Sequence, residues 1–139
     1  MSDKIFVDTN LWIYAHLEES GNDKSATAFS LLQPVENFVV STQVLSEYYS
    51  IMLKNNQTDE WIQHNLNIIL NACTVVSVAA DTVRLTHQIR SRYRFSYWDS
   101  QIIASALECG CRLLYSEDMQ HDQVIEDMLR IHNPFKTKP

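Results

Sequence analysis

Short apolar segments alternate along this chain with longer stretches whose apolar residues recur at helical spacing. The apolar segments are typical of buried strands and cover residues 4–7, 37–40, 73–78, 112–115 and 128–131. Helical stretches separate most of them, and two strands joined through a helix pair in parallel. The sequence therefore predicts an α/β fold with a mostly parallel central sheet of four or five strands, flanked by helices.

Six helices are predicted, over residues 11–17, 23–32, 42–52, 58–70, 81–94 and 96–110. Asn22 or Asp23 can cap the second helix, and Pro34 stops it. Ser41 or Thr42 can cap the third. Because no linker, repeat or low-complexity run divides the sequence, we expect residues 1–139 to form a single domain.

The composition excludes several classes of function. With only two glycines, the chain lacks the Gly-rich loops that cradle phosphates. Its apolar runs are far shorter than the roughly 20 residues that span a bilayer, so no membrane segment is expected. No secretory signal is evident at the start of the sequence, and an odd number of cysteines, three, fits a reducing compartment. A cytoplasmic location is therefore expected.

The net charge of −6 argues against a basic protein that binds nucleic acid regardless of sequence. It leaves open a local basic patch or a substrate bridged by metal ions.

Four acidic residues fall at or just beyond the carboxyl ends of predicted strands, the edge where open parallel sheets bind ligands. Asp8 ends the first strand and Asp118 follows the strand at 112–115. Glu47 and Asp99 lie near the starts of two helices. Carboxylates gathered in one cleft repel each other, and a divalent cation makes such a cluster favourable. Because all the ligands are oxygens, Mg²⁺ or Mn²⁺ is indicated.

Each acid also has a purely structural interpretation. Asp8 can cap the helix that begins at Leu11, and Asp99 can interact with a helix dipole. Glu47 can be a surface residue, and Asp118 an ordinary turn residue. The position of all four at one edge of the sheet favours the metal-binding interpretation over four separate ones.

Four segments together resemble the signature segments of PIN-domain ribonucleases, in the family's order and across nearly the whole chain. They are Val7-Asp8-Thr9-Asn10, Ser46-Glu47, Tyr97-Trp98-Asp99-Ser100 and Tyr115-Ser116-Glu117-Asp118. The ordered set is specific, whereas each segment alone is weak. The size of the chain also resembles that of the toxins of bacterial VapBC-type toxin–antitoxin pairs.

The resemblance implies a Mg²⁺- or Mn²⁺-dependent endoribonuclease that cleaves RNA with a metal-activated water. It implies that the four acids are both catalytic and metal-binding, and that three neighbours support them: Asp8, Glu47, Asp99 and Asp118, with Thr9, Asn10 and Ser116. A cognate antitoxin protein and a homodimer are the implied partners. Asp122 departs from the family pattern, which implies a glycine at this position, and it could add an acid to the rim of the site.

Two other functions stay open. One is a phosphatase or phosphotransfer domain with Asp8 as the nucleophile, although no lysine lies at a predicted strand end to assist it. The other is a catalytically silent module that keeps the fold for protein contacts, although such a module has no need of four convergent acids.

Two further features each have two interpretations. Arg90, Arg92 and Arg94 could follow an RNA backbone, or they could be the solvated end of a helix, where cations are favourable. Aromatic residues of the first and third helices, such as Trp12 and Tyr49, could pack in the core. They could instead form a surface for a second copy or an antitoxin.

Overall fold

Six strands form one sheet in the computed structural model, which describes residues 3–17, 23–33 and 37–136. The strands are β1 Ile5–Val7, β2 Phe38–Ser41, β3 Thr74–Val76, β4 Leu113–Tyr115, β5 Val124–Ile125 and β6 Leu129–His132. Their order across the sheet is β3-β2-β1-β4-β6-β5. All neighbouring pairs are parallel except β5 and β6, which are antiparallel. The predicted α/β class with a mostly parallel sheet is confirmed.

The described residues contain six helices, in the predicted order. They are α1 Thr9–His16, α2 Asp23–Leu31, α3 Thr42–Lys54, α4 Asp59–Ala72, α5 Ala80–Tyr93 and α6 Tyr97–Glu108. The predicted cap of α3 is Ser41, whose hydroxyl accepts a hydrogen bond from the backbone N–H of Val44 at 3.4 Å. The other predicted cap and stop residues of α2, Asn22 and Pro34, lie outside the described residues.

The strand count was predicted too low, because β5 is only two residues long and has no periodicity to reveal it. The chain turns back from β5 to β6 through Glu126 and Asp127, both at positive φ (51° and 53°). The predicted strand at 73–78 shortens to β3, since the backbone N–H of Val78 donates to the hydroxyl of Thr42 (3.2 Å) instead of continuing the sheet.

The core lies between the central strands and helices α1, α3 and α6. Phe6 and Leu114 of the sheet and Tyr48 and Ile103 of the helices are fully buried. Burial of each such side chain stabilises the fold by roughly 1.5–3 kcal/mol. Trp12 is 4% exposed and belongs to the same core, so the packing interpretation holds for it, whereas Tyr49 is only partly buried and packs against the outside of that core. Across the described ranges, no helix combines the length and apolar character that a membrane crossing requires.

The strand order places a topological switch point between β1 and β4. From β1 the chain moves outward to β2 and then β3. From β4 it moves the other way, first to the edge strand β5 and then back to β6, which lies between β4 and β5. Open sheets form a ligand crevice at such a point, beyond the carboxyl ends of the strands. The backbone N–H of Asp8 donates to the carbonyl of Tyr115 at 3.0 Å, which joins the segments that leave β1 and β4.

Candidate active site

A cavity of about 240 Å³ opens at the switch point and brings the four predicted acids together. Its lining is Asp8, Thr9, Asn10, Glu47, Ser50, Ile51, Asp99 and Asp118. Two of these, Ser50 and Ile51, were not predicted as site residues. They lie three and four positions after Glu47 on α3, so helical spacing could have identified them as its neighbours on one face.

Asp8 is the most enclosed of the four acids, with 6% of its surface exposed. Its Oδ1 accepts a hydrogen bond from the backbone N–H of Thr9 (2.7 Å), so its predicted role as a helix cap is confirmed. Its Oδ2 accepts a hydrogen bond from the hydroxyl of Ser116 (2.8 Å), which is itself fully buried. Capping α1 and lining the cavity are therefore compatible roles for one carboxylate.

The predicted supporting residues each donate to a different acid. Besides Ser116 on Asp8, the hydroxyl of Thr9 donates to Oε1 of Glu47 (2.7 Å). The Asn10 amide donates to Oδ2 of Asp118 (2.5 Å). Consecutive residues at the start of α1 thus hold carboxylates from α3 and from the loop after β4.

One supporting residue, Gln43, was missed by the sequence analysis. Its amide Nε2 donates to Oε2 of Glu47 (3.3 Å) and to the backbone carbonyl of Trp98 (3.0 Å). Gln43 lies four positions before Glu47, so the two share a face of α3. That spacing is the signal that could have identified it.

Asp99 lies in the first turn of α6, which Ser96 caps by accepting a hydrogen bond from the Asp99 backbone N–H (3.1 Å). A first-turn acid is favourable at a helix N-terminus. The position of Asp99 thus agrees with the interpretation that it interacts with the helix dipole. The same residue also lines the acidic cavity, so the two roles are compatible.

The surroundings of Asp8 and Asp99 favour the protonated form of these two carboxyl groups in the absence of a cation. Burial, together with the charges of Glu47 and Asp99, raises the pKa of Asp8 to about 7, against the hydrogen bonds from Thr9 and Ser116. Burial and the charges of Asp118 and Glu47 also raise the pKa of Asp99. Within the described residues, no lysine or arginine forms an ion pair with any of the four acids.

The donor set fits a divalent cation in its chemistry. Its oxygens are hard ligands of the kind that Mg²⁺ and similar ions prefer, and the four carboxylates have no positive charge of the protein's own beside them. No three acidic, histidine or cysteine side chains in the described segments are already positioned to coordinate one ion. Coordination would therefore require side chains of the cluster to turn toward a common point.

The arginines proposed for RNA contact are not brought to this cavity. Arg90, Arg92 and Arg94 are exposed at the end of α5, and Arg92 forms an ion pair with Glu126. Glu126 lies in the turn before β6, at the amino end of that strand, whereas the acids follow the carboxyl ends. Arg92 is therefore paired at the amino ends of the strands, whereas the four acids lie at the carboxyl ends.

Asp122 does not extend the acidic cavity. Its carboxylate lies 3.4 Å from Nε2 of His121 and 3.9 Å from the guanidinium of Arg130. The backbone of Asp122 has φ of 69°, in the left-handed region that favours glycine. The position thus has the conformation expected of a glycine, and its acid belongs to a separate surface cluster.

Comparisons with known proteins agree with this architecture. The family model of the PIN domain matches residues 5–126. This chain therefore belongs to the PIN domain family. No curated protein matches it significantly by sequence.

Solved structures of toxin–antitoxin proteins share the fold. The VapC20 toxin of Mycobacterium tuberculosis, described as cleaving the sarcin–ricin loop, superposes with a TM-score of 0.67 at 24% identity, covering 83% of this chain and 90% of that one. A toxin–antitoxin complex from Klebsiella pneumoniae gives a TM-score of 0.69 at 17% identity, covering 96% and 100%. VapBC2 of Rickettsia felis, solved with promoter DNA, gives 0.65 at 17% identity, covering 93% and 98%.

Proposed function

We propose that this protein is a divalent-metal-dependent endoribonuclease and the toxin of a toxin–antitoxin pair. The observation that supports this most strongly is the convergence of Asp8, Glu47, Asp99 and Asp118 on one cavity with no cation of the protein beside them. Membership of the PIN family supports it further, since PIN nucleases generally use divalent metal ions. The similar structures named above are toxins or toxin–antitoxin complexes.

The proposed chemistry is hydrolysis of an RNA phosphodiester at the acidic cavity. Asp8, Glu47, Asp99 and Asp118 would hold a Mg²⁺ or Mn²⁺ ion, which would supply an activated water and neutralise charge on the phosphate. The chain's own part is to hold the carboxylates ready: Ser116 and the Thr9 backbone fix Asp8, and the Thr9 hydroxyl and Gln43 fix Glu47. Attack by water leaves 3′-hydroxyl and 5′-phosphate ends, unlike attack by the ribose 2′-hydroxyl.

The proposal includes partners beyond the RNA. An antitoxin protein is expected because structures of this fold occur in toxin–antitoxin complexes, and we further propose a homodimer. A toxin of this class would act in the cytoplasm.

The two alternative functions receive less support from the geometry. For a phosphatase with Asp8 as nucleophile, both oxygens of Asp8 are already held by Thr9 and Ser116, and no lysine among the described residues contacts them. For a silent binding module, four mutually repelling carboxylates would lower stability without a compensating role.

RNA cleavage by the purified protein tests the proposal directly. We expect cleavage in Mg²⁺ or Mn²⁺, none in excess EDTA, and 5′-phosphate ends on the products. Asp8→Asn, purified in parallel, should be inactive, which excludes a contaminating ribonuclease. Asp81→Asn, an exposed acid on α5, should retain activity. Cleavage that survives both EDTA and Asp8→Asn would refute the proposal.

A further inference from the structure

Trp98 is the most exposed of the large hydrophobic residues described, with 60% of its surface accessible. It immediately precedes Asp99 in the first turn of α6. Together with its neighbour Tyr97, which is also exposed, it forms an apolar patch beside the candidate active site, and such a patch is more informative than one exposed apolar residue. The backbone of Trp98 is fixed, because its carbonyl accepts the 3.0 Å hydrogen bond from Gln43. Its ring packs edge-on against Tyr97, with 5.1 Å between ring centroids and 82° between planes.

A second cavity, of about 390 Å³, adjoins the acidic one on this side. Trp98 and Val78 give it apolar walls, the hydroxyl residues Thr42 and Ser46 contribute polar groups, and Glu47 lines both cavities. The two cavities therefore share a wall. The volume is within the range of roughly 300–1,000 Å³ that is usual for small-ligand sites.

The floor of this second cavity is held by a chain of buried amides. The Nε2 of Gln101 donates to Oε1 of Gln43 (2.8 Å), and Gln43 in turn donates to Glu47. Gln101 and Gln43 are 7% and 9% exposed. Such a satisfied buried network holds its members in a single arrangement. It thus connects the second cavity to a carboxylate of the acidic one.

We propose that the second cavity binds one unpaired nucleobase of the RNA, adjacent to the phosphate at the acidic cavity, with Trp98 as its stacking platform. This inference rests on the proposed function and specifies its substrate: RNA in which that base is unstacked, such as a loop or a single strand. Stacking on an aromatic ring is the usual means by which proteins hold such bases.

The charges favour a base over a phosphate as the occupant. No lysine or arginine is among the described residues that line the second cavity, so it has no positive charge for a phosphate. Its flat aromatic wall suits a planar, neutral group, and the exposed hydroxyl groups of Thr42 and Ser46 can meet the polar edge of a base.

The test combines changes in the protein with changes in the substrate. Trp98→Ala and Trp98→Phe are compared with the parent, and Phe29→Ala is the matched control. Phe29 is an exposed aromatic on α2 (56% accessible) that lines neither cavity. Thermal melts first establish that all variants fold. kcat/KM is then measured on a short single-stranded RNA that the parent cleaves, and on versions with an abasic nucleotide at each position flanking the cut.

We expect Trp98→Ala to lower kcat/KM on the intact RNA by about ten-fold or more, and Trp98→Phe to restore most of the loss. Phe29→Ala should match the parent. At one flanking position, the abasic substrate should lower the parent's rate by a similar factor, and Trp98→Ala should cause no further loss there.

The results separate this inference from the function on which it rests. If the parent cleaves RNA and Trp98→Ala cleaves equally well, the inference is wrong and the nuclease stands. If Trp98→Ala loses the same factor on intact and on every abasic RNA, Trp98 does not bind a base and the inference is likewise overturned. If the parent cleaves no RNA in either metal, both proposals fail together.

Discussion

The hydroxyl of Ser116 donates a 2.8 Å hydrogen bond to Oδ2 of Asp8, although the two residues are 108 positions apart in the sequence. The bond connects the ends of β1 and β4, the central strands at which the sheet reverses its order. It favours the ionised form of Asp8, whereas burial and the charges of Glu47 and Asp99 favour the protonated form. The protonated and ionised forms of Asp8 are therefore close in free energy near neutral pH, and a bound cation would favour the ionised form.

Replacing Ser116 tests the value of this bond. Ser116→Ala leaves a buried oxygen of Asp8 without its donor, which should lower the free energy of unfolding by about 1–3 kcal/mol. Ser105→Ala is the matched control, because Ser105 is buried at 2% exposure and its hydroxyl has no hydrogen-bond partner among the described residues. Removing the Ser105 hydroxyl should leave the free energy of unfolding unchanged or raise it slightly. Urea unfolding of both variants measures the difference, and equal effects would show that the bond to Asp8 contributes nothing.

The pKa of Asp8 predicts how the metal-free protein responds to pH. Because burial raises that pKa to about 7, the folded state keeps a proton that the unfolded state releases near pH 4. The free energy of unfolding should therefore fall as pH rises from about 4 to 7, by at most about 4 kcal/mol. Asp8→Asn should flatten this slope, while Asp81→Asn should keep it. Chemical unfolding in EDTA across this pH range is the measurement; a slope that Asp8→Asn leaves intact must come from other groups.

Tyr14 connects α1 to the loop that carries Asp118. Its hydroxyl donates to Oε1 of Glu117 (2.6 Å), the residue just before Asp118. Although burial opposes ionisation, hydrogen bonds from Lys24 and Tyr14 lower the pKa of Glu117. Tyr14→Phe should therefore cost about 0.5–1.5 kcal/mol of stability and lower cleavage, because the loop loses an anchor.

Lys24→Met is the comparison for Tyr14→Phe, because Lys24 also contacts the Glu117 carboxylate and this variant removes its positive charge. Its side chain is 46% exposed, so the pair that it forms with Glu117 is screened by water and its loss should have the smaller effect. Denaturant melts and cleavage rates of the two variants test the order. A larger loss in Lys24→Met would mean that the charge of Lys24, and not the half-buried hydroxyl of Tyr14, holds the loop.

Asp122 offers a test of the limits of the site. Asp122→Gly removes a side chain from a residue at φ of 69°, which should leave stability unchanged or raise it by up to about 1 kcal/mol. Asp122→Ala keeps a Cβ at the same φ and should be the less stable of the two. Cleavage should be unaffected in both, because Asp122 contacts His121 and Arg130 rather than the acidic cavity. A loss of activity in both variants would place Asp122 within the functional site.

Much of the architecture could be predicted from the sequence because it depends on local patterns. Apolar runs identified β1, β2 and β4, and helical spacing identified the helices between them. The position of Asp8 and Asp118 followed from the rule that parallel strands end at one edge. That rule needs no knowledge of side-chain contacts.

The features that were missed depend on contacts between distant segments. The turn into β6 contains Glu126, whose partner Arg92 is 34 positions away on α5. The sequence around a surface arginine does not indicate which distant acid it will pair with. The buried amides of Gln43 and Gln101 are 58 positions apart, and a buried glutamine looks like an exposed one in a sequence. The second cavity and the position of the arginines therefore required the structure.

The response of the melting temperature to Mg²⁺ tests the central claim most directly, that the four acids form a cation site. At pH 7 in EDTA, Asp99→Asn should be as stable as the parent or slightly more so, because it removes one of the repelling charges that surround Asp8. Mg²⁺ should then raise the melting temperature of the parent clearly and that of Asp99→Asn much less, since a ligand that binds only the folded state stabilises according to its affinity. If Mg²⁺ leaves the parent's melting temperature unchanged, or raises that of both proteins equally, the four carboxylates do not form the metal site of this protein.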